Sequence, residues 1–235
     1  MKPIVLLALS CALLAVACTG AKDATPGKTI SAPYLTPPAT STPASAAGSP
    51  AAAGPTNTPC ATSAQTGGTK TYKSPPPMTI DVNKTYIATI KMDIGDITLE
   101  LFAKDAPITV NNFVFLAREH YYDGVTFHRV IPGFMAQAGD PTGTGRGGPG
   151  YTIKDETNSH KFVEGTLGMA KTNLPDSGGS QWFIDFTPQP SLDGGYTAFG
   201  QLTGGRDVLN KIEPRDPAAA TCPGTKINTI EITEK

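Results

Sequence analysis

Apolar and polar residues alternate in two neighbouring stretches near the middle of the chain. YIATIKM (86–92) and DITLELF (96–102) place apolar residues largely at every second position, and Asp-Ile-Gly separates them. Such alternation indicates strands with one face on a core, and a short turn containing glycine between two strands is typical of a β-hairpin. These residues are therefore predicted to form an antiparallel hairpin.

A helical pattern follows over residues 105–124. Its apolar positions recur at spacings of three and four, which places them on one face of a helix. Asp105 can cap the start, Pro107 fits the first turn, and Gly124 marks the end. The buried face is predicted to consist of Val110, Phe113, Val114 and Ala117.

Short strand patterns separated by glycine and proline make up most of the remaining sequence. A second short helix is predicted near residues 205–212. Many short strands with few helices favour a β-barrel or a β-sandwich, so the predicted fold class is mainly β. The predicted strands occupy 125–130, 134–138, 167–170, 181–186, 197–202 and 226–233.

The start of the chain has the pattern of a targeting segment. Lys2 supplies a short charged start, residues 4–17 form an apolar run, and Ala15-Val16-Ala17 fits an A-x-A cleavage site. The run is too short for a comfortable transmembrane helix. Residues 1–17 are therefore predicted to be a signal peptide, with an uncleaved anchor as the alternative.

Cleavage after Ala17 would leave Cys18 as the first residue. Small residues before a cysteine are typical of bacterial lipoprotein signals, although Leu14 lies one position further from the cysteine than is usual. More than one acyl chain on Cys18 would hold the protein stably at a membrane surface. The sequence favours an exported protein that is lipid-anchored to the cell membrane, with plain secretion as the alternative.

Residues 18–77 differ in composition from the rest of the chain. Residues 19–77 contain 11 of the chain's 22 prolines, surrounded by Ala, Ser, Thr and Gly. Such a segment cannot bury enough apolar surface to offset the entropy of ordering it. Residues 18–77 are therefore predicted to be a disordered tether that spans on the order of 40–50 Å, with a tail of no function as the alternative.

Residues 78–235 are long enough for a single domain with a sizeable core. They contain 14 Lys and Arg against 19 Asp and Glu, which is a formal charge of −5. The acidic balance argues against nucleic acid as a partner and against direct adhesion of the domain to an anionic membrane. The domain is expected to be a soluble monomer.

Few residues point to metal or redox chemistry. Three histidines, at positions 120, 128 and 160, lie in unrelated contexts, and the chain has no C-x-x-C or zinc spacing. No metal or cofactor is therefore predicted, and His128 is interpreted as a packed structural residue. Cys60 and Cys222 could form a disulfide in an oxidising compartment, which would join the end of the tether to the C-terminal region.

Two short motifs resemble sites of unrelated chemistry. GTGRGG (143–148) satisfies G-x-G-x-x-G, but Pro149 and Gly150 follow it, so no helix starts there to bind a phosphate. DSGGS (176–180) resembles the nucleophile stretch of trypsin-like proteases, but a triad also needs a histidine held by a carboxylate. A glycine-rich turn is the better interpretation, with hydrolase chemistry as a remote alternative.

Five longer motifs occur in order: FHRVIPGFMAQAGD, GTGRGGPGY, GTLGMAK, GSQWFI and LDGGYTAFG. Together they resemble the cyclophilin family of peptidyl-prolyl cis-trans isomerases over residues 85–233. The resemblance implies a closed eight-stranded antiparallel β-barrel capped by two α-helices. It also implies that the substrate is a proline-containing polypeptide and that catalysis needs no cofactor.

The resemblance also implies a set of site residues. Arg129 would project into a groove on the outer face of the barrel and act as the catalytic residue by hydrogen bonding to the prolyl nitrogen. The groove would bind substrate through apolar residues and through polar groups that hold the substrate backbone. The implied substrate-binding residues are Phe134, Met135, Gln137, Gly143, Ala170, Lys171, Gln181, Phe183, Leu192 and Tyr196.

Three positions depart from the family pattern. Ser191 lies where many cyclophilins have tryptophan, Tyr196 where many have histidine, and Lys171 where asparagine is common. Loss of the tryptophan implies weak cyclosporin binding, and the departures leave open a non-catalytic proline-binding module or chaperone that uses the same groove. Regular alternation would also place Phe134 and Met135 on opposite faces, so both line one pocket only if the strand is irregular there or if one of them lies at the rim.

Overall fold

The computed structural model describes residues 70–235, which contain eight strands and two helices. Helix α1 spans Pro107–Arg118, the short helix α2 spans Arg206–Leu209, and a single 3-10 turn spans Pro190–Leu192. Each predicted strand is present, with shifted ends. The strands are β1 Tyr86–Met92, β2 Gly95–Leu101, β3 Arg129–Ile131, β4 Met135–Ala138, β5 Thr166–Met169, β6 Trp182–Asp185, β7 Ala198–Gly204 and β8 Ile227–Glu234.

All eight strands belong to one antiparallel sheet with the order β3-β4-β6-β5-β7-β2-β1-β8. The predicted hairpin is confirmed, because β1 and β2 pair along their whole length and end at the pair Met92 and Gly95. Gly95 has a φ of 123°, and a Cβ there would lie 2.7 Å from a methyl carbon of Val208. The turn therefore needs a glycine both for its backbone conformation and for its contact with α2.

The sheet curls into an open half-barrel, and the predicted closure is not confirmed. Strands β3 and β8 lie at the two ends of the sheet order and are not paired with each other within the described residues. The segments before these strands do meet, since the amide of Phe127 donates to the carbonyl of Thr225 at 2.9 Å and Thr126 bridges Lys226. These isolated hydrogen bonds lie outside the strands and take the place of a continuous β-ladder between β3 and β8.

The core lies inside the curl of the sheet and under α1. The predicted apolar stripe of α1 is confirmed, since its four residues are fully or almost fully buried. Trp182 of β6 lies at the centre of an aromatic group. The rings of Phe113, Tyr122 and Phe127 each meet the Trp182 ring edge-on at centroid distances of 6.0, 6.2 and 5.6 Å. Edge-to-face packing of this kind adds to the stability that burial of the rings provides.

The predicted cap of α1 is wrong. Ala106, not Asp105, occupies the N-cap position, and it makes no side-chain hydrogen bond. The carboxylate of Glu156 instead accepts hydrogen bonds from the backbone amides of Ile108 and Thr109 at 2.9 and 2.8 Å. A carboxylate from a distant loop therefore satisfies the free amides at the positive end of the helix.

Residues 70–80 lie against the domain, and we call them the strap. Within the strap, the amide of Tyr72 donates to the carbonyl of Pro149 at 2.8 Å. The strap includes the last eight residues of the predicted tether, whose boundary at residue 77 stays a prediction.

Several predictions concern residues outside the described range of 70–235. They are the signal peptide, lipidation of Cys18, most of the tether, and the cysteine at position 60. Cys222 is disulfide-bonded, but its pairing with Cys60 stays a prediction. Among residues 70–235, no helix is both long enough and apolar enough to cross a membrane.

Candidate active site

Five outward-facing residues form one row across five strands that are adjacent in the sheet, in the order β3, β4, β6, β5 and β7. Arg129 pairs with Gln137, Gln137 with Phe183, Phe183 with Gly168, and Gly168 with Ala198. The residues on either side of each row member point to the core, because side chains alternate along a strand. The sheet register thus places a cation, an amide, an aromatic ring and two small residues side by side on the outer face.

An apolar cluster separate from the main core covers this row. The rings of Phe162 and Phe183 stack at 5.9 Å with an angle of 20°, and the ring of Tyr196 meets both edge-on at 6.5 and 6.1 Å. Ile131 and Tyr196 are only partly buried, so the cluster is open on that side. Its buried members are Phe134, Met135, Phe162, Ala170, Phe183, Leu192 and Ala198.

Phe134 and Met135 share this cluster because β4 begins at Met135. Phe134 belongs to the preceding turn, where Gly133 has a φ of 72° and the Phe134 amide donates to the carbonyl of Ile131 at 3.0 Å. The carbonyl of Phe134 then accepts from the amide of Phe186 at 2.9 Å. The irregular backbone that the prediction required is therefore a turn at the start of the strand.

Two glutamine side chains form the polar part of the groove. The amide nitrogen of Gln137 donates to the side-chain oxygen of Gln181 at 2.9 Å. The amide nitrogen of Gln181 in turn donates to the carbonyls of Gly145 and Gly147 at 3.0 and 2.9 Å. The side-chain oxygen of Gln137 is buried and has no hydrogen-bond partner within the described residues, so it can accept one from a ligand or from Arg129. Arg129 itself is 6% exposed.

The glycine-rich loop at 143–148 is built around a carboxylate. Asp140 accepts hydrogen bonds from the backbone amides of Thr142, Thr144 and Gly145 at 2.7, 3.0 and 2.6 Å. A Cβ at Gly147 would lie 2.0 Å from the Asp140 oxygen. Burial opposes ionisation of Asp140, but hydrogen bonds from Thr142 and the loop amides lower its pKa. The backbone amides of the loop therefore donate to the carboxylate of Asp140, and two of its carbonyls accept from the side chain of Gln181.

Gly143, predicted to line the groove, begins this loop with a φ of 65°. Its amide donates to the carbonyl of Asp140 at 3.1 Å. The contacts of the loop with Gln181 come from Gly145 and Gly147. The structure thus brings the loop to the groove through the neighbours of the predicted residue.

Gly168 was not predicted as a site residue, yet it forms the floor of the cluster. A Cβ at this position would lie 2.4 Å from Cζ of Phe183 and 2.7 Å from Cε1 of Phe162. Both rings therefore pack directly on the backbone of β5. Phe162 was missed as well, since it lies in a polar stretch outside any strand. A glycine inside an apolar strand is the signal that could have found this site, because it often marks a close approach.

The wall of the groove consists of residues that depart from the family pattern. The ammonium of Lys171 lies 2.6 Å from a carboxylate oxygen of Asp155 and 5.6 Å from the centroid of the Tyr196 ring. Burial, together with the charge of Asp155, raises the pKa of Tyr196. Ala170 connects this wall to the polar part, since its amide donates to the backbone carbonyl of Gln181 at 3.0 Å. The charge of Lys171 is therefore neutralised by its partner at the groove.

His128 and the serines of DSGGS hold structural positions. His128 is fully buried, neither ring nitrogen has a hydrogen-bond partner within the described residues, and burial lowers its pKa. The hydroxyls of Ser177 and Ser180 donate to the carbonyls of Leu174 and Gly139, both at 2.7 Å. None of these contacts is a Ser-His pair. Within residues 70–235, no group of three or more metal-ligating side chains is found.

A buried carboxyl group lies on the outer face beside the cluster. Asp185 pairs with Met135 across β6 and β4 and is fully buried. Neither of its oxygens has a hydrogen-bond partner in the part of the chain that the structure describes. Burial raises its pKa from 3.8 to about 8, so the group is largely protonated at neutral pH. The residues around Asp185 have the pattern of an ordinary strand, so no local signal in the sequence marks this carboxyl group.

The outer face of the curled antiparallel sheet thus carries a buried arginine, two linked amides and an apolar cluster. The family model described as "Cyclophilin type peptidyl-prolyl cis-trans isomerase/CLD" matches residues 87–233. This match covers more than half of the chain. The chain therefore belongs to the cyclophilin-type peptidyl-prolyl cis-trans isomerases, and the predicted family is confirmed.

Bacterial relatives share about half of the aligned residues. A peptidyl-prolyl cis-trans isomerase of Helicobacter pylori is 51% identical over 140 residues, which are 58% of this chain and 85% of that protein. Peptidyl-prolyl cis-trans isomerase B of Bacillus subtilis is 52% identical over 126 residues, or 53% of this chain and 87% of that protein. Both alignments cover most of the relative.

A solved structure agrees with the fold. The crystal structure of a Cryptosporidium parvum cyclophilin-type isomerase in the presence of the dipeptide Ala-Pro has a TM-score of 0.58 and 34% identity. The alignment covers 63% of this chain and 99% of that chain. The similarity thus extends over the whole length of the solved domain.

Proposed function

We propose that this chain accelerates the cis-trans isomerisation of Xaa-Pro bonds in polypeptides and that Arg129 is its catalytic residue. One observation carries the proposal. The sheet register puts Arg129 opposite Gln137 and in one row with Phe183 on the next strand, next to an apolar cluster whose neighbours Ile131 and Tyr196 are only partly buried. The C. parvum relative was crystallised in the presence of the dipeptide Ala-Pro, which supports a proline-containing substrate for this chain.

Arg129 can act on the transition state because rotation changes the prolyl nitrogen. Amide resonance sets a rotation barrier of about 18–20 kcal/mol and keeps the nitrogen planar. At the twisted transition state the nitrogen regains its lone pair and becomes a hydrogen-bond acceptor. A guanidinium aimed at it binds the twisted form better than the planar form, which lowers the barrier. A charged hydrogen bond of about 1.5–3 kcal/mol corresponds to a rate factor of roughly 10 to 150.

The other groove residues hold the substrate while the bond rotates. The proline ring fits the apolar cluster formed by Phe134, Met135 and Phe183. The side-chain oxygen of Gln137, which has no hydrogen-bond partner within the described residues, is in place to accept from the substrate backbone, and the side-chain oxygen of Gln181 can accept a second hydrogen bond beside the one from Gln137. Because this reaction breaks no bond and moves no proton, it requires neither a nucleophile nor a base.

The test is exchange NMR on an Ala-Pro peptide with the full chain and with Arg129→Ala. We expect accelerated exchange with the full chain and a loss of about 10-fold or more in the variant. Arg118→Ala is the matched control, because Arg118 lies on the surface in an ion pair with Glu234. Peptide that binds without any acceleration would favour the alternative function, a proline-binding module or chaperone.

We further propose that the protein is exported, acts as a monomer on proteins that fold outside the cytoplasm, and is anchored through lipid on Cys18. The apolar run at 4–17 and the cysteine after Ala17 support this. Slow prolyl isomerisation can limit folding in that compartment. Detergent-phase partitioning of the mature protein tests the anchor. Partitioning should be lost in Cys18→Ala, and a mature protein found only in the aqueous phase would indicate plain secretion.

A further inference from the structure

The strap lies outside the region that the family model matches, residues 87–233. It nevertheless contacts Pro149 and Gly150, at the end of the glycine-rich loop that binds Gln181. The amide of Tyr72 donates to the carbonyl of Pro149. A Cβ at Gly150 would lie 2.7 Å from the carbonyl oxygen of Tyr72, and Gly150 has a φ of 94°. The backbones of the strap and the loop therefore approach each other as closely as only a glycine permits.

The ring of Tyr72 is partly buried and packs with three other aromatic rings against the main core. It meets Phe115 edge-on at 5.2 Å, Tyr151 at 6.3 Å and Tyr121 at 6.4 Å. The Tyr72 hydroxyl is buried and has no hydrogen-bond partner in the described part of the chain. The contribution of Tyr72 is therefore made by its ring and its backbone.

Two members of this aromatic group hold the residues just before Gln181. The hydroxyl of Tyr121 is bonded to the hydroxyl of Ser180 at 3.2 Å. The hydroxyl of Tyr151 donates to the side-chain oxygen of Asn112 at 2.6 Å, and the Asn112 amide donates to the carbonyl of Gly179 at 2.8 Å. The Tyr72 ring is thus linked to Ser180 through one residue, Tyr121, and to Gly179 through two, Tyr151 and Asn112.

The strap reaches Gln181 from a second direction. Pro149, which accepts the Tyr72 hydrogen bond, follows the loop whose carbonyls at 145 and 147 hold the Gln181 amide. The other end of the strap is fixed as well. The side-chain oxygen of Asn111 accepts from the amide of Thr79 at 2.8 Å, and its nitrogen donates to the carbonyl of Pro77 at 3.0 Å.

We propose that Tyr72 is a positioning residue of the isomerase, which orients Gln181 through the loop at 143–149 and through Gly179 and Ser180. This inference rests on the proposed function of the groove. Gln181 would hold the substrate backbone equally in the planar and twisted states. Loss of its orientation therefore weakens substrate binding more than it slows the bound substrate.

The test uses the full chain with Tyr72→Ala and Tyr72→Phe. We expect Tyr72→Ala to raise KM for the Ala-Pro peptide by about threefold or more while kcat changes by less than about twofold. Tyr72→Phe should keep the KM and kcat of the unmodified chain, because the Tyr72 hydroxyl has no hydrogen-bond partner within the described residues. The side-chain amide signals of Gln181 in ¹⁵N NMR spectra should shift in Tyr72→Ala and not in Tyr72→Phe.

Each failure has a separate meaning. Unchanged KM and unchanged Gln181 signals in Tyr72→Ala would overturn the positioning role, and so would equal changes in both variants. If Tyr72→Ala does not fold, Tyr72→Leu keeps apolar bulk without the ring, and the same KM and NMR criteria apply to it. A wild-type chain that fails to accelerate exchange would overturn the proposed function instead, while the Gln181 signals would still report on the strap.

Discussion

The inner and outer faces of the sheet use adjacent residues of the same strands for different purposes. Trp182 and Phe183 are neighbours in β6, and both are fully buried. Trp182 points into the core, where three rings meet it edge-on. Phe183 points outward, where it stacks on Phe162 and pairs with Gln137 across the sheet.

The difference lies in what covers each face. The inner face is closed by α1 and by the sheet itself, so its packing serves stability. The outer face is covered by side chains from loops, such as Phe162 and Tyr196, and it includes the buried polar groups of Arg129 and Gln137. An unsatisfied acceptor on such a surface, here the side-chain oxygen of Gln137, is suited to a ligand. Burial alone therefore does not distinguish core from site in this sheet.

The largest expected effect is a loss of stability when Trp182 is replaced. Replacing Trp182 and Phe183 one at a time tests whether the two faces have separate roles. Trp182→Ala should lower the free energy of unfolding by about 3–5 kcal/mol, because it leaves a cavity inside the aromatic group. Phe183→Ala should also lose stability, but only this variant should weaken peptide binding. Urea unfolding and peptide titration of the folded variants measure both quantities. Weakened binding in Trp182→Ala at full folding would show that the two faces are not separable.

The second effect tests whether position 168, at the floor of the groove, has to be a glycine. Gly168→Ala places a methyl group within 2.4–2.7 Å of Phe183 and Phe162 atoms, so the rings must move. Overpacking of this kind costs about 1–3 kcal/mol, and displaced rings should reduce kcat/KM by about 10-fold or more. Gly148→Ala is the matched control, because a Cβ there meets nothing within 4 Å. Equal kinetics in the two variants would contradict the assigned floor.

The smallest effect, within the window of about pH 6.5 to 8 in which it is measured, concerns the pH dependence of stability. The pKa of Asp185 is raised from 3.8 to about 8 by burial, so over that range the folded protein keeps a proton that the unfolded chain has lost. Stability from this group is complete below pH 3.8, falls by up to about 1.4 kcal/mol per pH unit, and is lost above about pH 8. Asp185→Asn should remove this slope.

Unfolding by urea between about pH 6.5 and pH 8 measures the slope of the wild type and of Asp185→Asn. This window avoids His128, whose lowered pKa gives the opposite slope below its ordinary value of 6.5. Parallel pH profiles of the two proteins would contradict the protonated state of Asp185 on the outer face.

Local patterns in the sequence predicted the strands, the stripe of α1 and the family. They failed where a contact comes from far along the chain. The carboxylate that accepts hydrogen bonds from the first amides of α1 belongs to Glu156, which lies 48 residues after Ile108. No spacing rule near Asp105 could reveal it. Closure of the barrel was expected from the family resemblance, whereas only the sheet order shows β3 and β8 as its ends.

The site was predictable to the extent that motifs identified its residues. The cluster contains five of the predicted substrate-binding residues, Phe134, Met135, Ala170, Phe183 and Leu192, whose role in binding stays a prediction. Periodicity could not separate the faces, because β4, β5 and β6 are buried at every position. The rest of the site depends on contacts between loops and strands, and these are visible only in three dimensions.

Strands of four residues that are buried on both faces also limit how this sequence can evolve. In β4, β5 and β6, each substitution changes either the packing of the core or the shape of the groove, and no position is left to vary freely. We therefore expect these strands to tolerate fewer substitutions than the exposed connections around them. A change in the loops that cover the outer face should alter the groove with less effect on the core.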